Sequence, residues 1–222
     1  MKLRFRELFW CFLFKKKFYR QFFLYNLNRY KQKLIFLDNL NLNQSSIVFD
    51  FGSNNGVITQ YLYDKYSCHI YSFEPNPYCY LVQKNIFRGI SKIKLFNKAV
   101  SKSNIKKKLY LHLSATHISN MKISESSSLE KKKSNISSKK FIFVNSVSID
   151  SIIKKFEYID LIKIDIEGHE YKILPSIIKN IDKIGKIFCE MHGRDHRTEF
   201  KKDFNFWEKK INKYYKKKFF YW

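Results

Sequence analysis

Five acidic residues and one histidine stand where short apolar runs of this 222-residue chain break off into turns. Asp50 lies in VFDFGSNNG (48–56), and Glu74 closes CHIYSFE (68–74). Asp165 and Glu167 fall in DLIKIDIEG (160–168), while Glu190 and His192 close GKIFCEMH (185–192). A carboxylate in such a place can accept hydrogen bonds from hydroxyls, balance a cation or take a proton; an imidazole can do the last.

The turn after Asp50 uses Gly52 and Gly56, two of only six glycines in the chain. Gly52 allows a sharp turn, and Gly56 allows close approach of a ligand or a helix to bare backbone. No Gly-Lys-Ser/Thr follows, so the turn is not a P-loop. Ser53 and Asn54 fill its middle, so it is not the dinucleotide G-x-G-x-x-G either. Glu74, 24 positions after Asp50, fits a carboxylate that accepts both hydroxyls of a ribose. An acid at Asp50 suits a cationic ligand better than a pyrophosphate. Together these residues predict a nucleoside with a positively charged tail, and S-adenosylmethionine, with its ammonium and sulfonium and no phosphate, is the cofactor expected.

The elements that must position these groups alternate regularly. Strands are predicted at 46–50, 68–74, 93–101, 141–149, 160–168 and 185–192, with a hairpin-like stretch at 107–113. Helices are predicted at 57–66, 77–89, 170–180 and 198–218. Short apolar strands separated by helices indicate a parallel sheet covered on both faces. The expected fold class is therefore α/β, a three-layer sandwich with a mostly parallel central sheet. Ligands of such sheets sit beyond the carboxyl ends of the strands, where the acids lie. The expected division is a basic, aromatic, helical segment over 1–45 and a catalytic domain over 46–222. Within the latter, the Ser- and Lys-rich stretch 114–140 is expected to be a mobile surface loop.

Composition limits the partners. Lys and Arg number 43 against 19 Asp and Glu, a formal charge of +24. Residues 1–33 and 201–218 supply +9 and +6 of it, so the excess sits at the ends. Such ends could grip phosphates or anionic lipid, or could reflect a bias toward Lys, Asn, Ile, Phe and Tyr codons. Residues 3–30 are predicted to be helical, either packed on the domain or lying on an anionic membrane. Cys11, Cys68, Cys79 and Cys189 have no metal-like spacing and are expected to be free thiols. No run reaches the ~20 apolar residues of a membrane span. The expected location is cytoplasmic, with or without peripheral membrane contact.

FDFGSNNGVIT, SFEPNPYCYLVQKNI, NKAVS, VNSVSIDSII, LIKIDIEGHEYKIL and IFCEMH, in this order, resemble the FkbM-type methyltransferases over roughly residues 46–193. The pair FEPNP and KIDIEGHE is the specific part. The resemblance implies a class I methyltransferase (Rossmann-like) fold, S-adenosylmethionine as donor, and methylation of a hydroxyl on a sugar or natural product. It places Asp50, Gly52, Asn55 and Gly56 along the methionine end, Glu74 on the ribose, and Asn97 to Val100, including Ala99, near the adenine. That class usually closes with an antiparallel strand pair. Only KKFFYW follows the last helix here, so the pair is expected to be shortened or absent.

On the acceptor side, Asp165 and His192 are candidates for the general base that frees a sugar hydroxyl of its proton. Glu167 is a third candidate, or else an acid favoured at the start of the next helix. His192 could equally be a hydrogen-bonded pocket residue. Asp165, Glu190 and His192 could instead hold a divalent ion, though no metal is expected. NPYCY (76–80) imitates the N-P-P-Y of amino-methylating DNA enzymes but follows the wrong strand. The reading carried forward is an O-methyltransferase acting on a glycan, a lipid-linked sugar or a related metabolite. An RNA methyltransferase and a non-catalytic binding module are its rivals.

Overall fold

The computed structural model describes residues 34–114, 126–193 and 198–221. The chain divides into two compact units, 1–40 and 41–222. Of the first, residues 34–40 form a short helical turn in which Leu34, Leu37 and Leu40 are buried. The basic helix expected over 3–30 lies outside the described residues.

In the second unit a six-stranded sheet runs in the order β3-β2-β1-β7-β8-β9. Its strands are β1 (Ile47–Phe51), β2 (His69–Phe73), β3 (Ile93–Phe96), β7 (Ile159–Ile164), β8 (Ile184–Cys189) and β9 (Phe219–Tyr221). Every neighbouring pair is parallel. A second group, β4-β6-β5, comprises β4 (Ala99–Ser101), β5 (Lys106–His112) and β6 (Ile136–Ser148). The helices are α1 (Val57–Tyr66), α2 (Pro77–Ile86), α3 (Ile149–Ile153), α4 (Glu170–Lys179) and α5 (Lys201–Tyr214). Among the described residues, no helix is long and apolar enough to cross a membrane.

Strand periodicity separates the two faces of the sheet. Phe49 and Phe51 of β1, level with Ile162 and Ile164 of β7, join one large core. Ile149 and Ile153 of α3, Ile173, Leu174 and Ile177 of α4, and Phe204 and Ile211 of α5 complete it. The opposite face meets α1 and α2 and carries a buried polar row. Ser72, Asp50 and Lys163 stand side by side on β2, β1 and β7. Thr59 of α1 donates to Asp50, and Gln83 of α2 accepts from Ser72. This is the three-layer, Rossmann-like arrangement expected. Cys68, Cys79 and Cys189 are buried free thiols.

Three expectations about the elements change. The strand expected over 93–101 breaks at Asn97–Lys98, and its second half leaves as β4 to pair with β6. The stretch 126–140, expected to be part of a mobile loop, is built into the fold; residues 115–125 lie outside the described residues. Ser128 and Lys133 are almost fully buried, and β6 begins at Ile136. The stretch is held by what its polar side chains reach rather than by apolar patterning. β7 ends at Ile164, before Asp165, because a turn with Glu167 and Gly168 both at positive φ precedes α4. The C-terminal strand pair is shortened, as expected: a single strand, β9, follows the last helix and runs parallel to β8.

Candidate active site

Two glycines of the β1–α1 turn are required by packing. Gly52 has φ +75°, and a Cβ there would lie 1.8 Å from the carbonyl oxygen of Asp165. Gly56 has φ +82°, and a Cβ would meet the Phe87 ring at 2.7 Å. The bare backbone thus admits the end of β7 and the residue capping α2, and the close approach at Gly56 is to that helix. Asn54, also at positive φ, donates its N–H to Glu74 Oε2 at 2.7 Å.

Glu74 is 7% exposed, just past the end of β2. Its other oxygen accepts the N–H of Asn76 at 2.7 Å. Burial pushes its carboxyl up to about 7, against the lowering effect of the two N–H donors. Around it, Asn54 Oδ1, Asn55 Oδ1 and Asn76 Nδ2 are buried and have no hydrogen-bond partner among the described residues. Buried amide atoms left open around a carboxylate suit a polar, hydroxyl-bearing ligand such as the nucleoside end of S-adenosylmethionine. Asn97 acts on this place indirectly: its amide donates to the carbonyls of Glu74 and Pro75 at 2.9 and 3.1 Å. Ala99 and Val100, expected near an adenine, are buried, Val100 in the large core and Ala99 in a small one with Leu109 and Val144.

Asp50 does not line the methionine end as expected. It is fully buried, accepts the Thr59 hydroxyl at 2.7 Å and ion-pairs with Lys163 at 3.1 Å. Lys163 also donates to the carbonyl of Gly52 at 2.7 Å. Burial alone would lower the Lys163 ammonium, but Asp50 and Asp165 outweigh it and raise it. Asp50 and Lys163 together tie β1, β7 and the glycine turn into one rigid piece.

At the ends of β7 and β8 the acids converge. One oxygen of Asp165, one of Glu190 and one ring nitrogen of His192 lie within 4.8 Å of one another. His192 is 4% exposed and enclosed by acids: Nε2 is 3.1 Å from Glu167, and Nδ1 is 2.9 Å from Glu170. Burial lowers its pKa, but hydrogen bonds to Glu167 and Glu170 overcome that and hold it at about 11. An imidazolium with both nitrogens donating can neither take a proton nor ligate a metal. With a carboxylate on each ring nitrogen, His192 has the surroundings of a hydrogen-bonded pocket residue, the alternative to a base. Glu167 is engaged as well, by His192 and by the buried ammonium of Lys133. In a chain of charge +24, among the described residues the carboxylates of this region (Asp50, Asp165, Glu167, Glu170, Glu190) outnumber the cations Lys163, Lys133 and His192. The local field therefore favours a cation.

Several residues that shape the site have no counterpart among the sequence candidates. Glu170 is fully buried, and its carboxylate also takes the N–H groups of Gly168 and His192 at 2.9 Å each. Ser128 donates to the Glu167 carbonyl at 2.6 Å, and Tyr171 to that of His192. Residues 128–134 form a strap over the β7–α4 turn. Lys132 reaches Asp203 of α5 at 2.8 Å, and Ser134 reaches Glu199 at 3.0 Å. A lysine interrupting the apolar strand DLIKI was a signal for Lys163. The strap offered none, because isolated serines and lysines read as solvated surface.

A family model described as Methyltransferase FkbM domain matches residues 50–218. The chain belongs to the FkbM methyltransferase family. One solved FkbM methyltransferase, from Methylobacillus flagellatus KT, is 16% identical with a TM-score of 0.43. The similarity covers 64% of this chain and 32% of that one, so the chain spans about a third of the length of that protein. No curated protein matches it. Within this FkbM domain, the matched region contains all five strand-end acids and His192.

Proposed function

We propose that the chain transfers a methyl group from S-adenosylmethionine to a hydroxyl of a glycan, a lipid-linked sugar or a related metabolite. The observation that carries this reading is Glu74, a buried carboxylate at the end of β2 held by the N–H groups of Asn54 and Asn76, in turns whose Asn54, Asn55 and Asn76 side chains each keep a buried amide atom without a partner among the described residues. S-adenosylmethionine, when bound, supplies a methyl carbon already activated by its sulfonium. Glu74 would hold the ribose hydroxyls, with the amides of Asn54 and Asn55 toward the rest of the nucleoside. The excess of carboxylates at the ends of β7 and β8 favours the positive charge. Asp165, partly exposed beside Gly52, would accept the proton of the acceptor hydroxyl. Lys133, His192 and Glu170 fix Glu167 beside it and so shape the acceptor wall. Positioning supplies most of the acceleration for such an in-line displacement. The test is incubation of the purified chain with methyl-labelled S-adenosylmethionine and separate glycan, lipid-linked sugar and RNA fractions. Label in a base-stable ether on sugar is expected, and label only in RNA would overturn the acceptor class.

A further inference from the structure

A pocket of about 380 Å³ opens between β4, β5, the strap and the first turn of α4. Four lysines line it: Lys102, Lys107, Lys108 and Lys172. The one acid in its wall is Glu130, and that carboxylate is already used. His169 Nδ1 lies 2.6 Å from Glu130, and His169 Nε2 lies 3.0 Å from the buried hydroxyl of Ser101. The pocket floor is thus a chain of carboxylate, imidazole and hydroxyl, and the lysines of the wall outnumber its one acid four to one among the described residues.

Codon bias places lysines on a surface, but it does not gather four of them around one concavity. Elsewhere several lysines have polar partners. Lys133 meets Glu167, Lys163 meets Asp50, and Lys92 and Lys218 meet backbone carbonyls. In the pocket, the Nζ atoms of Lys102 and Lys107 make no hydrogen bond or ion pair among the described residues. Lys108 is held over the Phe141 ring at 4.2 Å, a contact that leaves its ammonium free to bind an anion. Concave walls of low dielectric focus the field of such a cluster onto one small volume. Several lysine ammoniums around one concavity suit a phosphate's several oxygens.

We infer that this pocket binds a phosphoryl group, as a mono- or diphosphate ester, and that the acceptor of methyl transfer carries it. The second half of this statement rests on the methyl-transfer reading above; the first does not. The strap links the two places, since Glu130 closes the pocket while Ser128 and Lys133 hold Glu167. An acceptor anchored by its phosphate could therefore present a hydroxyl toward Asp165.

Calorimetric titration of the full chain with inorganic pyrophosphate and with a hexose 1-phosphate tests the site without any catalysis. A lipid phosphate in neutral vesicles tests whether the group comes from a lipid. Saturable binding is expected. Lys107→Ala with Lys108→Ala, and separately Lys172→Ala, should weaken it at least about tenfold, the scale of one or two lost charge-assisted hydrogen bonds. Lys201→Ala with Lys202→Ala removes the same charge from exposed positions of α5 and should leave binding unchanged. Absence of saturable binding, or an equal loss in that control pair, overturns the site. Tighter binding of a single-stranded oligoribonucleotide, lost in the same pocket variants, overturns the ester in favour of nucleic acid. Retained pyrophosphate binding without methylation of any phosphorylated sugar supports the pocket and counts against the methyl-transfer reading alone.

Discussion

Glu170 Oε1 accepts both the backbone N–H and the ring Nδ1 of His192, each at 2.9 Å, across 22 residues of chain. One carboxylate thereby joins the first turn of α4 to the end of β8, with both side chains out of water. Removing one partner of such a pair leaves an uncompensated buried charge, which costs about 3–5 kcal/mol. Glu170→Ala is expected to lose about that much in denaturant unfolding. A loss below ~1 kcal/mol would show that the pair does not hold the site together.

The same pair sets a pH dependence. The groups facing the His192 ring are Glu167, itself bound by Lys133, and Glu170. Its folded pKa, about 11, is above the ordinary 6.5. The folded state therefore binds the extra proton, and its stabilisation is complete below pH 6.5 and lost as pH rises through about 11. Stability should decline across pH 7–10 in the parent chain, and the slope should flatten in His192→Gln. Equal slopes in the two chains would mean that His192 is neutral in the fold, and the histidine would return as a candidate base.

The fold was largely readable because its signals are local. Apolar runs ending at Asp50, Glu74 and Glu190, glycines at 52 and 56, and Asn76-Pro77 at a helix start each announce an element and its boundary. The carboxylates at strand ends followed from the same logic. What each carboxylate does was not readable, because that depends on the cation it meets. Nothing local says that Asp50 faces Lys163 113 positions away, or that Lys133 reaches Glu167 across 34. The strap was missed for the same reason, since serines and lysines lack periodicity and become structural only through distant partners. The aliphatic pair Ala99 and Val100 was placed beside a ligand by resemblance, whereas its burial is explained by packing under β6 and α4.

Asp50 offers a direct comparison of two roles. As a partner of Lys163 and Thr59 it should matter first for stability. Lys163→Met is expected to cost about 3–5 kcal/mol, because it strands the Asp50 charge, and Lys163→Met with Asp50→Asn should recover part of that loss. Thermal and denaturant unfolding of the three chains measures it. If Asp50→Asn instead leaves stability intact and abolishes S-adenosylmethionine binding, Asp50 contacts the ligand.

Glu74 should make cofactor binding pH-dependent. Ribose hydroxyls donate to the ionised carboxylate, and burial holds the free chain's Glu74 at about 7, with Asp50 and Lys163 as the charged groups acting on it. Affinity should therefore rise with pH, by up to about tenfold per unit below 7, and level off above it. Glu74→Gln should weaken binding by about 1.5–3 kcal/mol and remove this part of the pH dependence, leaving only the ligand's own titration. Calorimetry in buffers of different ionisation enthalpy should also show a proton released on binding near pH 6.5. Identical pH profiles for parent and variant would take Glu74 out of the ribose site.

The acceptor side separates a base from a metal. His192 donates from both nitrogens to Glu167 and Glu170, so an ion held by all three of Asp165, Glu190 and His192 would first have to strip the imidazole from two carboxylates. Asp165 lies partly exposed at the end of β7, with its backbone oxygen against Gly52. Asp165→Asn is expected to lower the methyl-transfer rate by ~10²–10⁴-fold with little change in cofactor affinity. His192→Gln should affect stability more than the pH–rate profile, because the imidazolium has no proton to gain. Chelator should leave the rate unchanged. Loss of activity in chelator, restored by magnesium or manganese, would reverse the assignment, since oxygen-preferring ions need only the two carboxylates and solvent.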